Sequence, residues 1–296
     1  MFNTIEDYLD ALRNEMKGSD PALIQDAQAD AREHLSTALE VAREKNPETS
    51  DAAALKTIIE EYGAPEETAS AYKEVERRMS PVLKPNARPR SALGSFFSVY
   101  IDPRAWGALL YMLIAFVTGI FYFTWAVTGI SLSASFVIFI FGLPLALLFL
   151  LSVRGLALLE GRLVEALLGV RMPRRPLFSH QDLKWFERLK QLLLDRTTWL
   201  FILYMFIQFI LGIVYFVVIV TVFSVSLSLI ASPFLQEIMK QTSIMDLNLC
   251  CMILLPTWSY PLVTLLGLLI LTLFMNIIRG VGQLHGRFAK WMLVSE

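Results

Sequence analysis

Residues 105–153 read AWGALLYMLIAFVTGIFYFTWAVTGISLSASFVIFIFGLPLALLFLLSV, a run of 49 residues without a charged side chain. A helix needs about 20 apolar residues to cross the roughly 30 Å hydrocarbon core of a bilayer. The run is therefore long enough for two membrane spans and the turn between them. Two more uncharged stretches, at 197–236 and 247–278, each have room for one further span.

The composition of the whole chain agrees with membrane insertion. Of its 296 residues, 55% are hydrophobic, and the mean hydropathy is +0.53. An ordinary soluble domain is about 45–50% apolar. We therefore predict four membrane-spanning helices, and we place them near residues 105–128, 134–153, 198–222 and 259–278.

An internal repeat organises the membrane part of the chain. Asp102 and Trp106 open the first copy, and Asp195 and Trp199 open the second copy 93 positions later. A Leu-Tyr-Met triplet, a glycine and a Tyr-Phe pair then follow at the same spacing in both copies. The matched glycines and tyrosines are Gly119 and Tyr122 in the first copy and Gly212 and Tyr215 in the second.

The end of each copy repeats at a larger spacing. Arg154 and Gly155 correspond to Arg279 and Gly280, which stand 125 positions later. The second copy therefore has 32 extra residues between its two spans. Because each copy has two spans, the copies share one orientation and are parallel repeats. We place the first copy at about 98–175, the second at about 183–296 and the extra residues at about 231–258.

Glycine and proline residues within the spans predict two structural features. Gly142 and Pro144 predict a kink in the second span, because proline removes a helical hydrogen bond. Gly119 and Gly212 predict close approach of helices, because a glycine lets two backbones come together.

The distribution of basic residues predicts the orientation. Residues 153–197 contain nine Lys or Arg, whereas 128–133 contains none and 231–258 contains only Lys240. Cytoplasmic loops are enriched in Lys and Arg, so both termini and the middle loop should be cytoplasmic. Amphipathic segments after Arg154 and Arg279, and one near 183–193, are typical of helices lying in the inner interface.

Residues 1–80 differ in character, with 18 acidic and 9 basic side chains. This acidic balance argues against nucleic-acid binding and against adhesion to anionic lipid. Apolar residues at helical spacing predict four short helices. Asp20 and Pro21 should begin the second helix, Gly63 should end the third, and Pro65 should begin the fourth. No signal peptide is recognisable, so this part should stay in the cytoplasm.

Three motifs in this acidic part suggest a family. Residues 8–12 read YLDAL, residues 30–35 read DAREHL, and residues 62–65 read YGAP. The segment resembles the HAAS signalling domain, a small helical module at the cytoplasmic N-terminus of bacterial membrane proteins; alanine stands at position 31, where an aromatic residue is common. We interpret His34 as a partly buried helix residue, because no second histidine or cysteine lies nearby.

The rest of the chain has its own family resemblance. It rests on the Asp-x-x-x-Trp opening, on LGIVYF at 211–216, on IFGLP at 140–144 and on the Arg-Gly-Leu segment at 154–169. These motifs resemble the sensor domain found ahead of bacterial histidine kinase modules, and the likeness covers about 195 residues. It implies a sensing role in the inner membrane but brings no ligand-binding residues with it. The expected domains are 1–80, a proline-rich linker at 81–97, and the transmembrane sensor-like domain at 98–296.

The expected fold class is therefore all-α. A small cytoplasmic helical domain precedes a four-helix transmembrane domain, which consists of two parallel hairpin repeats with cytoplasmic interfacial helices.

Motifs for catalysis are missing from the sequence. There is no glycine-rich phosphate loop, no His-Glu-x-x-His zinc motif and no Gly-x-Ser-x-Gly elbow. His34, His180 and His285 are too far apart in the sequence to suggest a metal site. The 18 residues after the last predicted span leave no room for a kinase module. We therefore expect no enzyme activity, cofactor or metal; whether Cys250 and Cys251 are redox-active stays open.

The preferred hypothesis is a non-enzymatic membrane sensor or regulator. It would contact membrane lipids and relay an envelope or lipid signal to a protein partner, such as a regulator, kinase or transporter subunit, through residues 1–80 or the 153–197 loop. The alternative is an accessory membrane subunit or a component of small-molecule or lipid transport. Gln208 and Asn276, the polar residues at membrane depth, are more typical of hydrogen bonds between helices than of a substrate site. The stimulus, homo-oligomer formation and the role of the 231–258 insertion stay open.

Overall fold

The structure is a computed structural model of the chain, and it describes residues 2, 4–46, 50–78, 92–136, 142–174, 185–241 and 256–294. Every regular element in these residues is helical, as the all-α prediction requires. Four of the helices are long and apolar enough to cross a membrane, which confirms that prediction. Residues 81–91 of the linker, residues 242–255 of the insertion and both cysteines lie outside the described residues.

The acidic N-terminal part contains the four predicted helices. They are α1 (Ile5–Glu15), α2 (Pro21–Lys45), α3 (Asp51–Tyr62) and α4 (Pro65–Arg78). The Asp20 side chain accepts a hydrogen bond from the Ala22 backbone N–H at 2.9 Å, so it caps α2 as predicted. The residue that ends α3 is Gly63, at φ +110° and ψ 154°. This is a positive-φ conformation that residues with a side chain rarely adopt.

The four helices enclose one apolar core. Helix α1 packs against α2 and α4, and α2 packs against α3. The buried core residues are Tyr8, Leu9, Leu12, Met16, Leu23, Ala27, Ala31, Leu35, Leu55 and Ala69. Within this core, the Tyr8 hydroxyl donates a hydrogen bond to the Gly63 carbonyl at 2.9 Å and lies 3.1 Å from the Thr68 hydroxyl. This hydroxyl therefore ties α1 to the break between α3 and α4.

Replacing Tyr8 with phenylalanine should destabilise the acidic part by about 1 kcal/mol, because the Gly63 carbonyl loses its donor. Burial raises the pKa of Tyr8 above its ordinary value. The hydroxyl therefore stabilises the fold fully at pH values below about 10, the pKa of tyrosine in the unfolded chain. This stabilisation declines as the pH rises through the higher pKa of Tyr8 in the folded protein. Urea unfolding of the purified protein, followed by circular dichroism at pH 8 and above pH 10, measures both effects.

The exposed Val75 provides a matched control, because Val75→Ala removes methyl groups without touching the core. Equal unfolding curves for Tyr8→Phe and the parent at both pH values would contradict this role of the hydroxyl.

The remaining helices make up the apolar part of the chain. They are α5 (Ala92–Phe97), α6 (Pro103–Phe136), α7 (Gly142–Leu168), α8 (Trp185–Leu194), α9 (Arg196–Gln241) and α10 (Tyr260–Leu293). Helix α9 has 46 residues. At 1.5 Å per residue it is about 69 Å long, which is more than the thickness of a bilayer core.

One predicted turn is wrong, and one helix is longer than the span predicted within it. The turn expected at 128–133 is helical, because α6 continues to Phe136. That stretch has Gly129 and two serines but no proline. A lone glycine lowers helix stability by only about 1 kcal/mol, so it does not end a helix. The helix that contains the span predicted at 198–222 continues to Gln241, which places the first part of the predicted insertion in α9.

The second span also differs from its prediction. Helix α7 begins at Gly142, which puts Pro144 in its first turn. Backbone N–H groups in a first turn have no acceptor within the helix, so proline is tolerated there without a kink. Helices α7 and α10 continue through Arg154 and Arg279 without a break, although separate interfacial helices were expected after these arginines. Their depth in the bilayer stays a prediction.

The chain divides into two compact units. One comprises Met1–Lys84, Trp125–Tyr204 and Gly286–Glu296, and the other comprises Pro85–Thr124 and Met205–His285. We name them the first and the second unit. Each unit combines segments that are distant in the sequence, so the contacts inside a unit show which distant segments pack together.

Candidate functional site

An aspartate and an arginine meet at the start of α6, in the second unit. Asp102 Oδ1 accepts a hydrogen bond from the Arg104 backbone N–H at 3.0 Å, which caps the helix. Asp102 Oδ2 accepts another from Arg279 Nη1 of α10 at 3.2 Å. The Trp106 indole N–H donates to the Tyr100 carbonyl at 2.9 Å. Asp102 is buried, so this ion pair is only partly screened by solvent.

The start of α9, in the first unit, has the same set of contacts. Asp195 Oδ1 accepts from the Thr197 backbone N–H at 3.0 Å, and Asp195 Oδ2 accepts from Arg154 Nη2 of α7. The same arginine nitrogen lies 3.4 Å from the Thr198 hydroxyl. The Trp199 indole N–H donates to the Leu193 carbonyl at 2.9 Å. The sequence identified both aspartates and both arginines, but nothing in it indicated how they pair.

A buried polar cluster surrounds His285 in the second unit. The Tyr111 hydroxyl lies 2.7 Å from His285 Nε2, and the Tyr215 hydroxyl lies 3.0 Å from His285 Nδ1. Gln208 Nε2 donates to the Tyr111 hydroxyl at 3.2 Å. Both ring nitrogens therefore have a tyrosine partner. Tyr111 and Tyr215 belong to the repeat found in the sequence. Gln208 forms a hydrogen bond between α9 and α6, as predicted.

A hydrogen bond between a tyrosine and a glutamate stands at the corresponding place in the first unit. The Tyr204 hydroxyl donates to Glu160 Oε1 at 3.0 Å, and both residues are buried. Tyr204 follows Tyr111 by 93 positions, and His285 follows Glu160 by 125. Sequence reasoning did not select Glu160 or His285, although each lies within the motif that follows Arg154 or Arg279.

Helices α6 and α9 approach closely at two glycines in the second unit. A Cβ added at Gly119 would lie 2.8 Å from the Gln208 carbonyl oxygen. A Cβ added at Gly212 would lie 2.9 Å from Phe116 Cα. Distances this short to backbone atoms leave no room for a side chain. The structure therefore brings Gly119 and Gly212 into the contact between the two helices.

The other residues of the predicted motif take varied positions. Tyr122 is buried, whereas Trp106 and Trp199 are half-exposed. A Cβ added at Gly155 or Gly280 would meet no atom within 4 Å. These two glycines are therefore not required by packing.

The acidic helices of residues 4–78, which we name the head, contact the segment after α7 within the first unit. Asp26 Oδ1 accepts a hydrogen bond from the Arg174 backbone N–H at 2.6 Å, and Asp26 Oδ2 lies 3.5 Å from Arg171 Nη2. Glu76 forms an ion pair with Arg171 as well. Carboxylates from α2 and α4 thus converge on one arginine.

The head also contacts the last turns of α10. Lys290 Nζ donates to Asp20 Oδ2 at 2.5 Å, while the other oxygen of Asp20 caps α2. We name the ion pairs of Asp20, Asp26 and Glu76 with Arg171 and Lys290 the docking contacts. The opposite net charges of the two parts of the sequence are consistent with them, but the composition could not identify the pairs.

A small cavity lies beside the docking contacts in the first unit. Its volume is about 50 Å³, and Gln25 of the head and Leu293 of α10 form part of its wall. Most other lining residues are apolar, namely Ala157, Leu158, Gly161, Met172, Pro173 and Phe201. Arg154, Asp195 and Thr197 complete the lining, so the cavity also borders the Asp–Arg contact at the start of α9. Across the described ranges, no group of His, Cys, Asp and Glu could hold a metal ion.

Comparison with known proteins identifies the family. The family described as "Putative sensor" matches residues 111–293, which is more than half of the chain. No curated protein and no solved structure matches the chain. The four apolar helices, together with this match, indicate a membrane protein, and the family description suggests a non-enzymatic role in sensing. The chain belongs to the "Putative sensor" family.

Proposed function

We propose that this protein is a non-enzymatic sensor or regulator of the bacterial inner membrane. It relays an envelope or lipid signal to a protein partner through the head or the 153–197 loop. The docking contacts are the observation that carries this proposal, because they connect the head directly to the loop after α7 and to the last turns of α10. The likeness of the head to the HAAS signalling domain supports the same role.

The proposed topology places both termini and the middle loop in the cytoplasm and includes two parallel repeats. The equivalent Asp–Arg contacts support the repeats, because Asp195 follows Asp102 by 93 positions and Arg279 follows Arg154 by 125. Each contact joins the start of one copy to the end of the other. The basic residues of the 153–197 loop support the orientation.

The geometry suggests how a signal reaches the head. Helices α7 and α10 continue from the apolar spans to the residues at or just before the docking contacts. A displacement of either helix in the bilayer would therefore move Arg171 or Lys290 relative to the head. Transmission requires two states that differ in their affinity for a partner. We take these states to be the head docked on the membrane part and the head released from it.

The capture of partner proteins tests the proposal. Arg171→Gln combined with Lys290→Gln removes the cations of the docking contacts and leaves every head carboxylate in place. A partly exposed ion pair contributes up to about 1 kcal/mol, so the released head should become several times more populated. Affinity purification in mild detergent with mass spectrometry should then recover more of a cytoplasmic partner than with the parent protein. Deletion of residues 1–80 should abolish the capture.

Arg78→Gln is the matched control. Arg78 pairs with Glu74 on the same helix and makes no docking contact, so its loss should not change partner recovery. If the deletion variant retains the same membrane proteins as the parent, the head is not the output, and the accessory or transport alternative is favoured.

A further inference from the structure

We propose that Arg171 and Lys290, which we name the basic docking surface, also bind the phosphate headgroups of anionic phospholipids. The head and the lipid then compete for the same cations. This inference rests on the proposed function, since it needs the cytoplasmic orientation given above. It identifies the signal as the anionic lipid content of the inner leaflet.

The chemistry of the docking contacts supports the competition. The basic docking surface binds carboxylates of the head. Lys290 pairs with Asp20 at 2.5 Å, and Arg171 pairs with Asp26 at 3.5 Å and with Glu76. A phosphodiester resembles a carboxylate in that it has one negative charge and two oxygens that accept hydrogen bonds. Arginine and lysine bind both groups. The head therefore occupies sites that lipid phosphate can also occupy.

The position of the basic docking surface fits the headgroup region. Arg171 follows the end of α7 at Leu168, and Lys290 lies in the last turn of α10. Trp291 stands next to Lys290 and is 67% exposed. Tryptophan is enriched where a helix leaves the hydrocarbon core, because its ring is apolar and its N–H is polar. Exposed tryptophan beside lysine at a helix end therefore indicates the level of the headgroups.

The charge of the head makes the competition act as a switch. Residues 1–80 have 18 acidic and 9 basic side chains, so a released head is repelled by an anionic leaflet. Each basic residue near the surface of an anionic membrane increases the equilibrium constant for membrane binding by about fivefold. More anionic lipid thus favours the released head, and by linkage a docked head weakens lipid binding.

Distance measurements on the full-length protein test this inference. Spin labels at Ala52→Cys in α3 and Leu159→Cys in α7, with Cys250→Ser and Cys251→Ser, report docking within the first unit. Ala52 and Leu159 are both exposed, so the labels should not disturb packing. The protein is reconstituted in nanodiscs of phosphatidylcholine alone, or of phosphatidylcholine with phosphatidylglycerol, at constant ionic strength. The docked distance should dominate in the neutral lipid, and phosphatidylglycerol should replace it with longer distances.

A further sample and two variants separate lipid from other causes. Soluble glycerophosphate, added to neutral nanodiscs at the same phosphate concentration, should leave the docked distance unchanged. Arg171→Gln combined with Lys290→Gln should release the head in neutral lipid and remove the response to phosphatidylglycerol. Arg78→Gln should respond like the parent, since Arg78 pairs with Glu74 within α4 and makes no docking contact. Asp20→Asn keeps a capping side chain but loses the charge, so it should release the head at a lower phosphatidylglycerol content.

Three results would overturn the inference. Phosphatidylglycerol could leave the distances unchanged, soluble glycerophosphate could produce the same shift as the lipid, or Arg78→Gln could abolish the response. The experiment does not depend on partner capture. Release by lipid without any captured partner would reject the proposed function and leave the lipid competition standing, whereas partner capture without a lipid response would do the reverse.

Discussion

Gly212→Leu should destabilise the second unit by about 1–3 kcal/mol, because a side chain at this position overfills the contact between α6 and α9. An added Cβ alone would lie 2.9 Å from Phe116 Cα, and a backbone atom cannot move aside as the end of a side chain can. Gly212→Ala should already be destabilising, and Gly119→Ala should behave in the same way. Denaturation with increasing SDS, followed by circular dichroism in one detergent, measures the change.

Two other glycines of the same motif provide the matched controls. A Cβ at Gly155 or Gly280 would meet no atom within 4 Å. Alanine favours a helix over glycine by about 1 kcal/mol, so Gly155→Ala and Gly280→Ala should be neutral or stabilising. The same glycine-to-alanine substitution should therefore lower stability at Gly119 and Gly212 and leave it unchanged or raise it at Gly155 and Gly280. If all four glycine-to-alanine variants have the same stability, α6 and α9 do not approach as described.

Breaking the Arg154–Asp195 ion pair should also lower the free energy of unfolding strongly. Arg154→Gln leaves Asp195 charged and partly buried, with 33% of its side chain exposed. Removing one partner of a fully buried pair costs about 3–5 kcal/mol. With partial exposure we expect about 1–3 kcal/mol. Asp195→Asn should cost a similar amount, because asparagine still caps α9 and only the charge is lost.

A double-mutant cycle isolates the interaction between the two side chains. The loss in free energy of unfolding of the double variant should be smaller than the sum of the two single losses by about 0.5–3 kcal/mol. Asp102 and Arg279 should give a cycle of the same sign if the two contacts are equivalent. The Arg43–Asp51 pair is the control, since both side chains are 57% exposed and a smaller coupling is expected. Strictly additive effects for Arg154 and Asp195 would contradict the ion pair.

Local patterns in the sequence were sufficient to predict the helices of the head and the membrane character of the rest. Asp20, Gly63 and Pro65 mark helix ends through backbone chemistry that acts within a few residues, and long uncharged runs indicate spans directly. The turn at 128–133 was wrong because it was inferred from the length of the uncharged run and not from a residue that ends a helix. Pro144 was misjudged because its effect depends on where α7 begins.

The sequence predicted which residues matter in the candidate site but not which of them contact each other. The spacings of 93 and 125 selected Asp102, Asp195, Arg154 and Arg279, but pairing each aspartate with the arginine of the other copy requires the packing of distant segments. The cluster around His285 was predictable only in part. The repeat aligned Glu160 with His285, and Gln208 was expected to form a hydrogen bond between helices. Joining His285 to Tyr111 and Tyr215 requires the packing of distant segments. The two parallel repeats themselves stay a prediction.

The residues of the docking contacts could not be predicted from the sequence, because net charge does not identify which residues pair. Net charge predicts attraction between the acidic head and the basic part of the chain. It does not select Asp20, Asp26 and Glu76 from 18 acidic residues in the first 80. That selection depends on which faces of α2 and α4 remain outside the head's own core. The likeness to the HAAS domain, which lies outside the family match, also stays a prediction.

Zero-length carbodiimide cross-linking of the native chain in phosphatidylcholine nanodiscs tests most directly whether the head is docked on the membrane part. The reagent joins a carboxylate to an amine only when the two are in contact, and Lys290 Nζ lies 2.5 Å from Asp20 Oδ2. Mass spectrometry should therefore identify an amide bond between Asp20 and Lys290, and Asp20→Asn should abolish it. Failure to detect this cross-link while other Lys–carboxylate pairs of the same sample are joined would contradict the docked head.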